Sequence, residues 1–143
     1  MPALSVVAFA AMVAGIGGLY FARALFATDP IPIAVQAGAV LLMIAARITF
    51  GRRSFHAAAN PTEGGLVTTG PYAYVRHPIY AAVIYFTWAA ALDHRSPLTV
   101  ACALVVSAGA FIRMLLEERM LTDRYPQYRD YRKRVKRMVP GVF

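Results

Sequence analysis

The chain has 143 residues, 59% of them hydrophobic and only 15% charged, with a formal net charge of +8. Its length allows one compact unit, and its apolar excess excludes an ordinary soluble domain. The lone cysteine, Cys102, excludes an internal disulfide; with three scattered histidines (His56, His77, His94) it gives no metal-ligand spacing, so no metal site is expected.

The first apolar run, Ala3 to Ala27, is broken only by Ser5, Gly15, Gly17, Gly18, Tyr20 and Arg23. At about 1.5 Å per residue it is long enough to cross roughly 30 Å of hydrocarbon. No basic residue precedes it and it is too long for a cleaved signal, so a membrane span is the better reading. Thr28-Asp29-Pro30 predicts a tight turn, and Ile31 to Phe50 a second span with Arg47 snorkelling to the interface. The two spans are expected to form an antiparallel hairpin over residues 1–50.

Residues 51–69 carry Arg52, Arg53, His56, Asn60, Glu63 and Gly64-Gly65 without a periodic apolar face, and they read as a loop. Ile79 to Leu92 is short for a span but reaches a workable length with Tyr74 to Pro78 and Asp93-His94. A second tight turn over 93–97 leads into the fourth span, Pro97 to Leu116. The turns at 28–30 and 93–97 hold one basic side chain, Arg95, whereas eight Lys or Arg residues follow Leu116. Together with Arg52, Arg53 and Arg76 in the long loop, this bias places both chain ends and that loop on the cytoplasmic side. After Tyr125-Pro126 a short helix is expected from Gln127 to Met138. Tyr128, Tyr131, Val135 and Met138 line one face, and Arg129, Arg132, Lys133, Arg134, Lys136 and Arg137 fill the rest. Such a helix suits the surface of anionic membrane lipids. The four spans before it argue against nucleic acid as a partner. The expected fold class is all-α: a polytopic membrane protein with four transmembrane helices and a short basic amphipathic C-terminal helix.

Two stretches carry the polar chemistry. In Gly70-Pro71-Tyr72-Ala73-Tyr74-Val75-Arg76-His77-Pro78-Ile79-Tyr80, Gly-Pro sets a turn and Pro78 suits the first turn of a helix. That helix start, with Arg76 and His77, is suited to an anionic or multiply polar small molecule, and the tyrosines offer faces for a heterocycle. Interfacial anchoring of a membrane helix is an equally good account of the stretch alone. In the second stretch Arg113, Glu117 and Leu121 share a helix face, while Glu118 is turned from it by about 100°. Two adjacent carboxylates at the end of a membrane helix either serve a functional partner or sit at the water boundary beside Arg113 and Arg119.

Taken in order, Gly70-Pro71-Tyr72, Arg76-His77-Pro78-Ile79-Tyr80, Pro97, Glu117-Glu118, Tyr125-Pro126-Gln127-Tyr128, Tyr131, Arg134-Val135 and Arg137 resemble the isoprenylcysteine carboxyl methyltransferase family. Phospholipid N-methyltransferases are similar over the same region, Leu66 to Pro140. The first two helices carry no motif of the family. The resemblance implies a single membrane methyltransferase domain over 1–143, with residues 66–140 as cofactor-binding and catalytic core. It implies S-adenosylmethionine as cofactor, held by Val67, Tyr72, Arg76, His77, Pro78, Tyr80, Glu117 and Glu118.

The residue chemistry agrees with that implication. A glutamate can accept from the cofactor's ammonium or ribose diol, Arg76 or His77 can meet its carboxylate, and tyrosine faces tolerate a sulfonium. For a carboxylate acceptor no base is required, and Arg113 is expected to orient it; an amine or phenol would need Glu117 as base. The expected acceptor is a lipophilic molecule reaching the site sideways where helices 3 and 4 leave the membrane. A prenylated cysteine carboxylate comes first and an amine or phenolic lipid second. A non-catalytic membrane protein is the rival class.

Overall fold

A computed structural model describes residues 2–51 and 65–143, so most of the loop expected at 51–69, with Arg52, Arg53, His56 and Glu63, lies outside the described residues. The described chain is all-helical. Helix α1 spans Pro2–Phe21, α2 Pro30–Phe50, α3 Pro78–His94, α4 Pro97–Arg124 and α5 Tyr128–Arg134, with a short 3-10 turn at Gly70–Ala73. Helices α2, α3 and α4 each open on a proline, whose missing N–H costs nothing in a first turn. Ser96 and Thr99 close a reciprocal capping box at the start of α4, each side-chain oxygen accepting from the other's backbone N–H. Among the described residues α1, α2 and α4 are long and apolar enough to cross a membrane; α3, at 17 residues, is shorter.

The first helix stops earlier than its apolar run suggests. Arg23 takes a positive φ of 55°, and the Arg23 and Ala24 N–H groups turn back to the Tyr20 and Leu19 carbonyls. This is a Schellman-type ending with arginine in the position glycine usually fills. The link after it is tied down by Gln36 of α2, whose amide accepts from Ala27 N–H (2.9 Å) and donates to the carbonyls of Leu25 (2.9 Å) and Phe86 (3.3 Å).

That longer link also overturns the expected packing of an N-terminal hairpin. Helix α1 lies along α4, α2 lies along α3, and α3 packs on α4, while α1 and α2 share no extensive face among the described residues. Small residues decide the α1 partner. A methyl group at Gly109 would lie 2.6 Å from the Ala8 carbonyl oxygen, and one at Gly15 would lie 2.8 Å from that of Cys102. Only glycine lets these backbones approach so closely, and close approach is what holds helices together where lipid is as apolar as the side chains. Ser5 meets Arg113, Ala8 and Met12 meet Gly109, and Gly15 meets Cys102 and Val106, so the two helices run antiparallel.

The bundle therefore has two unlike ends. At one, the Asp93 carboxylate accepts from the Thr28 and Asp29 N–H groups (2.8 and 3.1 Å) and the Thr28 hydroxyl, closing the α1–α2 link onto the end of α3. At the other, the start of α1, residues 65–77, the last turns of α4 and the tail converge.

The tail departs from expectation. The helix ends at Arg134 rather than Met138, and Val135 is extended. Beyond it the Arg76 and His77 N–H groups bond to the carbonyls of Lys136 (2.7 Å) and Arg137 (2.9 Å), making a short parallel bridge beside Val75. Those carbonyls serve the only ladder of this kind among the described residues, and a helix through Met138 would forfeit it. Nor does the apolar stripe face lipid. Tyr128 and Tyr131 are buried against the protein, leaving Arg129, Arg132, Lys133 and Arg134 exposed.

Candidate active site

The turn at Gly70–Ala73 is wedged between α2 and α5. Gly70 has φ 56°, and a methyl there would fall 2.6 Å from the Thr49 hydroxyl, so the position excludes a side chain twice over. Next to it Tyr72 is buried, its ring 5.6 Å from Phe50, and its carbonyl accepts from the Tyr131 hydroxyl. Burial, with Glu117 nearby, pushes the Tyr72 phenol well above its ordinary range, and burial pushes Tyr131 up to about 12, so both stay protonated donors. Val67 sits half-buried in the non-helical lead-in.

Four residues on, the chain reaches its polar centre. Buried His77 precedes α3 and buried Pro78 is its first residue. Glu118 on α4 collects two guanidinium groups and an imidazole. Its Oε1 accepts from Arg76 Nη2 (2.7 Å) and Nε (3.2 Å), from Arg137 Nε (3.1 Å), and faces His77 Nε2 at 3.2 Å; its Oε2 accepts from Arg137 Nη2 (3.0 Å). Arg76 also donates to the Arg132 and Val135 carbonyls (2.9 and 2.6 Å), so this buried arginine bolts α3, α4 and the tail together. Oε1 of Glu118 is thus fully engaged, and Oε2 is held by Arg137.

Glu117 is placed otherwise. Its side chain keeps about a quarter of its surface, 27%, against 8% for Glu118. The Tyr80 hydroxyl donates to its Oε1, while His77 Nδ1 stands 3.7 Å from Oε2 and Arg113 Nη2 3.9 Å from Oε1, both beyond hydrogen-bond reach. His77 thus lies between the two carboxylates, one ring nitrogen toward each. Of the pair, Glu117 retains an edge for a further partner.

Arg113 is 4% exposed and committed within the protein. It donates from Nε to the Tyr80 hydroxyl (2.9 Å) and from Nη1 to the Ser5 carbonyl and hydroxyl (3.1 and 3.2 Å), with its guanidinium 5.2 Å from the Phe9 ring centre. The structure therefore gathers Tyr72, Arg76, His77, Pro78, Tyr80, Arg113, Glu117 and Glu118 at one end of the bundle. Sequence reasoning gave no site role to three residues of this cluster. Arg137 was quoted only as a motif residue among the other basic residues of the tail, and Ser5 was an isolated hydroxyl in an apolar helix. Tyr128, read as part of a lipid-facing stripe, instead carries a buried hydroxyl with no hydrogen-bond partner among the described residues.

The phospholipid methyltransferase family matches residues 33–128. Methanethiol S-methyltransferase 1 of Bradyrhizobium diazoefficiens is 39% identical over 70 residues, which are 48% of this chain and 24% of that relative. The chain thus spans well under two thirds of the relative's length. No solved structure matches.

Proposed function

Because this chain belongs to the phospholipid methyltransferase family, we propose that it is an S-adenosylmethionine-dependent methyltransferase acting on a lipophilic acceptor within the membrane. The observation that carries the reading is the contrast between two neighbouring glutamates, one closed by Arg76, Arg137 and His77 and one with an open edge backed by Tyr80 and Arg113.

The donor set fits the cofactor. Val67, Tyr72, His77 and the α3 start at Pro78 and Tyr80 would hold it, with Arg76 and Glu118 fixing that wall in place. Bound there, it supplies an electrophilic methyl group on a cationic sulfur. Glu117 faces the acceptor. A thiol, amine or phenol must lose a proton as its new bond to carbon forms, and the open carboxylate edge is positioned to receive it. A carboxylate acceptor would bring a second negative charge beside Glu117 in a poorly solvated site, and Arg113, held by Ser5 and Tyr80, is not turned toward it. The name of the methanethiol S-methyltransferase relative favours sulfur among the neutral acceptors. We therefore rank the isoprenylcysteine carboxylate second.

Helix α3 packs between α2 and α4 and shares their slab, which supports a fourth, short span and a single unit over 1–143. The shared end of the bundle holding Ser5, His77 and the tail fits N- and C-termini that are both cytoplasmic. The outer groove between α3 and α4 is covered by the tail: the Tyr85 hydroxyl donates to the Met138 carbonyl (2.9 Å) and Phe143 stacks on Phe111. We therefore favour entry between α1 and α2, which share no extensive face among the described residues, over the side that the tail covers.

The test uses protein in lipid nanodiscs. Titration calorimetry measures S-adenosylmethionine binding, and transfer of a labelled methyl group is followed to a long alkanethiol, a short one, phosphatidylethanolamine and an isoprenylcysteine. Binding, with preference for the long thiol, is the expected result, and Glu117→Gln should lower its turnover by about 10²-fold or more. No cofactor binding would overturn the reading. Full turnover of a thiol by Glu117→Gln would remove the base, and preference for the carboxylate would reverse the order of acceptors.

A further inference from the structure

Helix α1 lies outside the residues the family matches, yet it touches the polar centre at one point. Between Pro2 and Leu19 its side chains are apolar except for Ser5. A serine in such a helix commonly turns its hydroxyl back on the preceding turn and has no further role. Ser5 is 2% exposed, and both its hydroxyl and its carbonyl oxygen face Arg113 Nη1.

We propose that Ser5 is a positioning residue for methyl transfer, acting through Arg113 on Tyr80 and Glu117; the inference rests on the reading of Glu117 as the proton acceptor. Guanidinium is a rigid planar fork, so fixing Nη1 against Ser5 fixes the direction of Nε. That Nε–H points at the Tyr80 oxygen. With a lone pair of Tyr80 so occupied, its single proton is directed to Glu117 Oε1. The same anchor keeps Arg113 Nη2 3.9 Å from Glu117. With the Ser5 hydroxyl removed, Nη1 loses one of its two Ser5 acceptors, and the loosened guanidinium can swing toward Glu117, pair with the carboxylate and blunt it as a proton acceptor. The Phe9 ring, 5.2 Å from the guanidinium, closes the same pocket from one turn further along α1.

The experiment compares Ser5→Ala, Ser5→Thr, Arg113→Ala and the double variant Ser5→Ala/Arg113→Ala in nanodiscs. Cofactor affinity and steady-state turnover of the long alkanethiol are measured for each. Ser5→Ala should lower kcat by about three- to tenfold, the range of one ordinary hydrogen bond lost while the Ser5 carbonyl stays in place, and S-adenosylmethionine affinity and acceptor KM should stay within about twofold. Ser5→Thr restores the hydroxyl and should recover kcat. On the Arg113→Ala background Ser5→Ala should cost nothing further, because the proposed route to the site is gone. Unchanged kcat in Ser5→Ala overturns the proposal. So does an equal loss on both backgrounds, or a loss that Ser5→Thr does not repair. Wild-type protein that fails to bind S-adenosylmethionine brings down the functional reading, and this inference with it.

Discussion

Glu118→Gln is the sharpest perturbation of the fold, because the variant keeps the shape and removes the charge. In the native protein one carboxylate, 8% exposed, answers Arg76 at 2.7 Å, Arg137 at 3.0 Å and His77 at 3.2 Å. Breaking a fully buried ion pair costs about 3–5 kcal/mol through the charge left behind. Two features reduce that figure. Arg76 keeps the Arg132 and Val135 carbonyls, and the Arg137 side chain is 25% exposed and can recruit water. The remaining glutamine oxygen accepts from one guanidinium, while its amide N–H confronts the other. A loss of about 2–4 kcal/mol is the result. Denaturant titration in mixed micelles should show a lower midpoint, and limited proteolysis should cut first within 125–143, where Arg76 and Arg137 dock the tail. A variant that unfolds with wild type and keeps its tail protected would refute the view of Glu118 as the joint between α3, α4 and the tail.

Two further substitutions probe the bundle. Gly109→Ala drives a methyl to 2.6 Å from the Ala8 carbonyl and should cost about 1–3 kcal/mol in the same titration, whereas Gly17→Ala, with open space around it, should be neutral or slightly stabilising. Gln36→Leu strands the Ala27 N–H and the Leu25 carbonyl and should cost about 1–3 kcal/mol, with hydrogen exchange quickening in residues 22–29; unchanged exchange there would show that the link is held by other contacts.

Much of this was legible in the chain. Helix number and order follow from apolar run length, and prolines at positions 30, 78 and 97 mark three helix starts. The Arg76-His77 and Glu117-Glu118 stretches stood out because charge is costly beside lipid. Partner choice among helices did not show. Thr28-Asp29-Pro30 looked like a hairpin turn, but Arg23 in a left-handed conformation ends α1 early, and that depends on carbonyls waiting in the previous turn. The tail misled for a related reason. Its Tyr128–Tyr131 periodicity is real, but periodicity reports that a face is covered, not whether lipid or protein covers it. The interruption after Arg134 is set by the N–H groups of Arg76 and His77, about sixty residues away in sequence and invisible to any local pattern.

The two glutamates show how one helix end can serve both fold and chemistry. Neighbours on a helix point about 100° apart, so α4 turns Glu118 toward Arg76 and the tail and Glu117 toward Tyr80 and Arg113. The first interaction set needs full neutralisation, because an unanswered buried charge would open the joint. The second needs the reverse: a carboxylate held by one hydroxyl, with the nearest guanidinium kept at 3.9 Å, retains capacity for a proton. Were both glutamates on one face, Arg76 and Arg137 would neutralise both and leave no base. The adjacent pair therefore separates stability from reactivity within a single turn, and it assigns different losses to the two. Glu118→Gln should be felt first in unfolding and only through it in turnover, while Glu117→Gln should leave the unfolding midpoint near wild type and lower transfer by about 10²-fold or more.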